Sequence, residues 1–158
     1  MGARMRQTSL LSAVALTLAV VFGGTAHAQA VGTWKLNLAK SKYQPGQAPK
    51  SATVVYEAAG AGIKVTVDMV PANGPAIHYS YTANYDGKEV PVVGNPNADT
   101  AARTRVDANT TSLVNKKGGK VTSTVTIVTS PDGKTMTITT KGVEPGGAVD
   151  SVAVYEKQ

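Results

Sequence analysis

The chain has 158 residues, a formal net charge of +6 and no cysteine. The lack of cysteine excludes disulfides and thiolate metal ligands from this sequence. The lysines are scattered singly apart from the pair Lys116 and Lys117, so the charge does not predict a nucleic-acid partner.

Residues 1–28 predict a cleaved signal peptide. Arg4 and Arg6 precede an apolar run over residues 10–22, and a small-x-small cleavage site ends at Ala28. The run falls short of the roughly 20 residues that span a bilayer, so we expect no membrane span in the mature form. We expect cleavage near Ala28 and a bacterial protein that is periplasmic or secreted.

Residues 29–158 predict a single β-barrel domain. Short stretches that alternate apolar and polar residues, rich in β-branched side chains, are typical of strands with one buried face. Turn residues separate these stretches at 60–62, 73–74, 86–87, 94–96, 107–109, 118–119, 132–133 and 144–147. Tight Asn-Gly and Asp-Gly turns predict that neighbouring strands pair in sequence order. The predicted fold is therefore all-β, an antiparallel up-and-down barrel of about ten strands whose closure removes both exposed edges.

The alternation also predicts which side chains face the barrel interior. Three strands give the clearest inward sets, which are Ile63, Val65, Val67 and Met69, then Ile77, Tyr79, Tyr81, Ala83 and Tyr85, and later Val121, Val125 and Ile127. His78 takes an outward position between the tyrosines.

Two segments interrupt the regular pattern. Residues 39–50 are polar and contain two prolines, which predicts a loop with one helical turn at most. Two interpretations of this loop stay open, a plain connection between strands and a cover over a barrel mouth. Pro91 lies within a short predicted strand over residues 89–93, where it indicates a bulge or weak pairing. We therefore expect the least regular seam of the barrel there and in the loop over residues 94–100.

The two ends of the mature chain resemble a known superfamily. Residues 31–36 read VGTWKL, which resembles the Gly-x-Trp signature of the calycins, that is, the lipocalins and the intracellular fatty-acid-binding proteins. Residues 154–157 read VYEK and are similar to the end of the fatty-acid-binding proteins, where an Arg-x-Tyr pair binds the ligand carboxylate. Tyr155 matches the tyrosine, and Ala153 stands at the arginine position. The GTWKLN start is also similar to that of small exported bacterial proteins. The resemblance implies a calycin-like barrel whose tryptophan, Trp34, closes one end.

The candidate ligand-binding residues are mostly aromatic. Tyrosines and small side chains at inward positions of a ten-stranded barrel favour a semi-polar cavity over a filled core. The predicted set is Tyr79, Tyr81, Tyr85, Tyr155, Arg103, Arg105 and Trp34, with Trp34 either closing the floor or stacking on a ligand.

The two arginines leave their orientation open. Arg103 and Arg105 are two residues apart, so both project from one face of their strand. If they point inward, they hold an anionic ligand head by charge-assisted hydrogen bonds. Two solvated surface arginines are the ordinary outcome, because burial of an unpaired guanidinium is costly.

The sequence predicts no catalytic, metal or cofactor site. His78 is the one histidine of the mature chain, and no serine has a Gly-x-Ser-x-Gly setting. The predicted function is an exported, non-enzymatic barrel that binds a small, largely apolar or amphipathic ligand in an interior cavity. Two alternatives remain open, a filled-core structural or interaction module of the bacterial envelope and an enzyme on the same barrel.

Overall fold

The computed structural model describes residues 30–158, so the predicted signal peptide lies outside the described residues. Ten strands follow one another, and a single 3₁₀ turn at Leu38–Lys40 lies in the first long loop. The strands are β1 (Gly32–Leu36), β2 (Ser51–Ala59), β3 (Gly62–Val70), β4 (Ile77–Ala83), β5 (Asp86–Pro91), β6 (Thr100–Arg105), β7 (Thr110–Lys117), β8 (Lys120–Thr129), β9 (Thr135–Glu144) and β10 (Gly147–Lys157). Within residues 30–158, no helix has the length and apolar character needed to cross a membrane.

One antiparallel sheet contains all ten strands, in the order β4-β3-β2-β1-β10-β9-β8-β7-β6-β5. The first and last strands pair with each other, since Trp34 of β1 lies opposite Lys157 of β10. The sheet therefore curls until β4 and β5, which are consecutive in the chain, face each other. This confirms the predicted all-β, up-and-down barrel of ten strands.

The prediction that every neighbour pairs in sequence order is wrong between β4 and β5. Within residues 30–158, one isolated bridge joins β4 to the segment just after β5, and in it the amides of Ser80 and Val93 each donate to the other's carbonyl at 3.0 Å. The predicted tight turn at Asp86 and Gly87 is also wrong, because both residues belong to β5 at a shift in its register against β6. The Asp86 side chain accepts the Lys88 amide there, which satisfies this backbone donor locally. The seam expected near Pro91 and the following loop is confirmed.

A second irregularity changes the predicted face of Val121. The register of β7 against β8 shifts after Asn115, so both Thr122 and Ser123 are buried and Val121 is 58% exposed. The extra residue of this bulge reverses the alternation, which then continues as predicted with Val125 and Ile127 inward. The inward position of Val121 is therefore wrong.

The up-and-down order sorts the connections between two ends of the barrel. The mouth end carries the loops 37–50, 71–76 and 92–99 and the turns 118–119 and 145–146. The closed end carries the connections 60–61, 84–85, 106–109 and 130–134. Trp34, Ile63 and Met136 are fully buried within the core.

Candidate ligand-binding cavity

The barrel encloses a cavity of ≈ 510 Å³. Apolar side chains form most of its wall, namely Val54, Val65, Val67, Met69, Ile77, Leu113, Val125, Ile127, Ile138 and Ala153. Small inward residues such as Ala153, Ser151 and Thr140 leave this space because a ten-stranded barrel is wide relative to their side chains. A filled core therefore does not describe this barrel.

The predicted loop over residues 39–50 lies at the mouth, which is one of the two interpretations left open for it. Tyr43, Gln47 and Pro49 from this loop line the cavity, and Asn95 and Asn97 line it from the loop that follows β5. The walls are thus strands, whereas the rim is built from loops.

Besides Tyr43 at the rim, four tyrosines line the cavity. Tyr79, Tyr81 and Tyr155 were predicted from alternation and resemblance, and Tyr56 joins them from the inward face of β2. Burial raises the pKa of Tyr81 to about 12, although the nearby Arg103 charge lowers it in part. Burial also raises the pKa of Tyr79 and of Tyr155 above their ordinary range. The hydroxyls of Tyr79, Tyr81 and Tyr155 are therefore neutral at pH 7 and act as hydrogen-bond donors and acceptors.

Arg103 lies beneath these tyrosines and is 1% exposed, so of the two orientations left open for it the structure shows the inward one. Its Nη1 donates to Tyr81 Oη and its Nη2 to Thr111 Oγ1, each at 3.0 Å. Its Cζ also lies 5.4 Å from the centroid of the Tyr56 ring and 5.5 Å from that of Tyr85. These contacts replace water around the guanidinium, while Nε has no hydrogen-bond partner among residues 30–158.

Arg105 and Tyr85 belong to the same closed-end cluster as Arg103. The Cζ of Arg105 lies 4.3 Å from the centroid of the Tyr85 ring, and both side chains are half-buried. Tyr85 follows the end of β4 and so leaves the alternation that predicted it beside Tyr79 and Tyr81. The three residues line a separate space of ≈ 20 Å³, and none of them lines the large cavity.

Trp34 is fully buried and also lies outside the lining of the large cavity. Its Nε1 donates to the Ala30 carbonyl at 2.8 Å, and Lys157 Nζ lies 5.3 Å from the ring centroid. This position corresponds to closure of the barrel end rather than to a stacking surface for a ligand.

The sequence prediction does not include Glu144, which is the single charged residue among those that line the cavity. Asn97 Nδ2 donates to its Oε2 at 2.6 Å. Burial raises its pKa, and hydrogen bonds from Ser123 and Asn97 lower it in part. Extending the alternation of Met136, Ile138 and Thr140 along β9 places Glu144 inward, but the turn residues that follow it conceal this signal.

Metal ligands do not converge in the described part of the chain. His78 is exposed, as predicted, and its Nδ1 lies 2.6 Å from Asp68 Oδ1 on the outer surface. Residues 30–158 contain no group of three or more His, Cys, Asp or Glu side chains placed to hold a metal ion.

No protein-family model matches this chain, and no curated protein matches it. Among solved structures, the chain is similar to a redesigned β-barrel, mFAP1, bound to DFHBI. The two share 11% identity and a TM-score of 0.47, over 84% of this chain and 99% of that one. A likeness at this level does not bear on function.

Proposed function

We propose that the protein is an exported, non-enzymatic, calycin-like barrel that binds a small, largely apolar molecule in its interior. The cavity of ≈ 510 Å³ carries this proposal, because its volume falls within the range of roughly 300–1,000 Å³ that is typical of small-molecule sites. Its wall combines a large apolar surface with a few hydroxyl groups, as such sites do.

The floor of the cavity supports binding through a neutral donor. Tyr81 Oη accepts a hydrogen bond from Arg103, so its own proton is available for another acceptor. Arg103 therefore acts on a ligand through Tyr81, as a positioning residue. Arg105 stacks on the Tyr85 ring at the closed end of the barrel.

The first test is native mass spectrometry of the mature protein, expressed with its signal segment and purified from the periplasm without detergent. We expect an N-terminus at Gln29 and an adduct of small-molecule mass that leaves on denaturation. The variant Ala153→Phe should lose the adduct but keep the fold, since its ring fills the cavity beside Tyr155.

The matched control is Val154→Phe, which adds the same ring at the next position of β10, where the side chain does not line the cavity. It should retain the adduct. If the wild type carries no adduct and takes up no neutral hydrophobic dye, the proposed binding function is wrong. An unprocessed N-terminus would contradict export alone.

A further inference from the structure

Glu144 differs from the other carboxylates of this chain in its electrostatic partners. Five of the ten Asp and Glu side chains form an ion pair with a lysine within residues 30–158, and a sixth, Asp68, lies 2.6 Å from His78 Nδ1. Three more lie at turns and accept backbone amides, namely Asp99, Asp107 and Asp132. Glu144 has no cation among these residues, although it is half-buried and faces the cavity.

The hydrogen bond of Glu144 does not use up its capacity as an acceptor. A carboxylate has about four acceptor positions on its two oxygens. Asn97 Nδ2 occupies one of them, on Oε2. The remaining positions are available to a donor that enters the cavity.

The position of Glu144 within the cavity fixes which part of a ligand meets it. Glu144 ends β9 at the mouth, whereas Val54, Val125 and Ile127 lie on the strands below. A ligand with one polar end therefore places its apolar tail inside and its polar head near the carboxylate. Tyr79 of β4 lines the same cavity as Glu144.

We propose that Glu144 selects ligands whose polar head is an organic ammonium group over those with a carboxylate head. This inference rests on the proposed binding function. An ammonium donates hydrogen bonds to the carboxylate and is attracted to the faces of tyrosine rings. A carboxylate head meets like charge instead, and the Arg103 guanidinium does not line the cavity to offset it.

This selectivity differs from the one that the C-terminal resemblance implies. In the fatty-acid-binding proteins an Arg-x-Tyr pair binds a carboxylate, but here Ala153 stands at the arginine position and lines the cavity as a methyl group. The charge at the ligand head is thus opposite in sign to the one expected from that resemblance.

The test compares three ligands that share one alkyl chain, namely decylammonium, decanol and decanoate. Each displaces the neutral dye N-phenyl-1-naphthylamine at about pH 8, where an ordinary carboxyl is ionised and an alkylamine is protonated. We expect the ammonium to bind at least about tenfold more tightly than the alcohol, and the carboxylate to bind more weakly than the alcohol. Glu144→Gln should make the ammonium and the alcohol equal to within about threefold.

Gln at position 144 keeps an acceptor for Asn97, so a purely structural role of Glu144 survives this substitution. Asp150→Asn is the matched control, because it removes one negative charge from an exposed ion pair with Lys141 and should leave the preference unchanged. Equal affinities in the wild type, or an unchanged preference in Glu144→Gln, would overturn the inference while dye binding still supports the cavity. Absence of dye binding would instead refute the proposed function.

Discussion

Arg103 is a charged residue that the folded barrel buries almost completely. Its guanidinium lies in the interior with hydroxyl groups and aromatic rings around it, and no ion pair of residues 30–158 includes it. Such an arrangement recovers part of the hydration that burial removes, but it lacks the attraction of a carboxylate. The charge and the hydrogen bonds of Arg103 therefore contribute less to stability than its buried volume.

Two substitutions separate the charge and hydrogen bonds of Arg103 from its volume. Arg103→Met keeps most of the buried volume, so we expect its free energy of unfolding in urea to stay within about 1 kcal/mol of the wild type. Arg103→Ala leaves a void below Tyr81 and should lower that free energy by about 2–4 kcal/mol. Equal losses in the two variants would show that the hydrogen bonds to Tyr81 and Thr111 dominate instead.

At the level of the strands, the seam between β4 and β5 depends on one bridge and one glycine. Gly94 has φ +90°, and a Cβ at this position would overlap the carbonyl oxygen of His78. Only a residue without a side chain therefore allows the chain after β5 to approach β4 closely enough for Ser80 and Val93 to pair.

Gly94→Ala tests the seam against a control with the same backbone conformation. Gly74 has φ +92°, but no atom lies within 4 Å of the point that a Cβ would occupy. Gly74→Ala therefore adds only backbone strain, of about 1–2 kcal/mol, and no steric overlap. Gly94→Ala should lower the free energy of unfolding by about 1–3 kcal/mol more, because of the overlap, and should speed amide exchange at Ser80 and Val93. Equal effects of the two variants would contradict a role for the close approach.

Across the whole molecule, the buried tyrosines make the free energy of unfolding fall at alkaline pH. Burial raises the pKa of Tyr43 and of Tyr81 to about 12, and that of Tyr79 and Tyr155 further. The unfolded chain ionises these groups near pH 10, whereas the folded chain keeps their protons. Their contribution to stability is therefore complete below about pH 10 and is lost as the pH rises above it.

We expect the free energy of unfolding to fall above about pH 10 by roughly 1.4 kcal/mol per pH unit for each tyrosine that only the unfolded chain ionises. Urea unfolding at a series of pH values measures the free energy of unfolding, and tyrosinate absorbance recorded in parallel measures how many tyrosines are ionised. Tyr79→Phe should reduce the slope, because it removes one such group from the cavity wall. Ionisation of every tyrosine near pH 10 before unfolding would indicate a hydrated interior and contradict this prediction.

Local signals in the sequence are sufficient to predict the strands and most of their pairing, with β4 and β5 as the exception. Alternation with period two and turn residues predict ten antiparallel strands, because both depend on the local backbone and on neighbours along the chain. The same signals predict Tyr79 and Tyr81 on the inward face of β4, and a loop over residues 39–50. They do not predict Val121 correctly, since a bulge depends on the register with a neighbouring strand.

Which groups meet, and whether space remains between them, depends on the folded barrel. Arg103 obtains its environment from Tyr81 and Tyr56, which are far from it in sequence, so its burial is invisible to local patterns. Glu144 becomes the charged group of the cavity because β9 brings it to the mouth opposite β4. The cavity itself reflects the width of a closed ten-stranded barrel relative to its small inward side chains, a property that exists only when the sheet has curled.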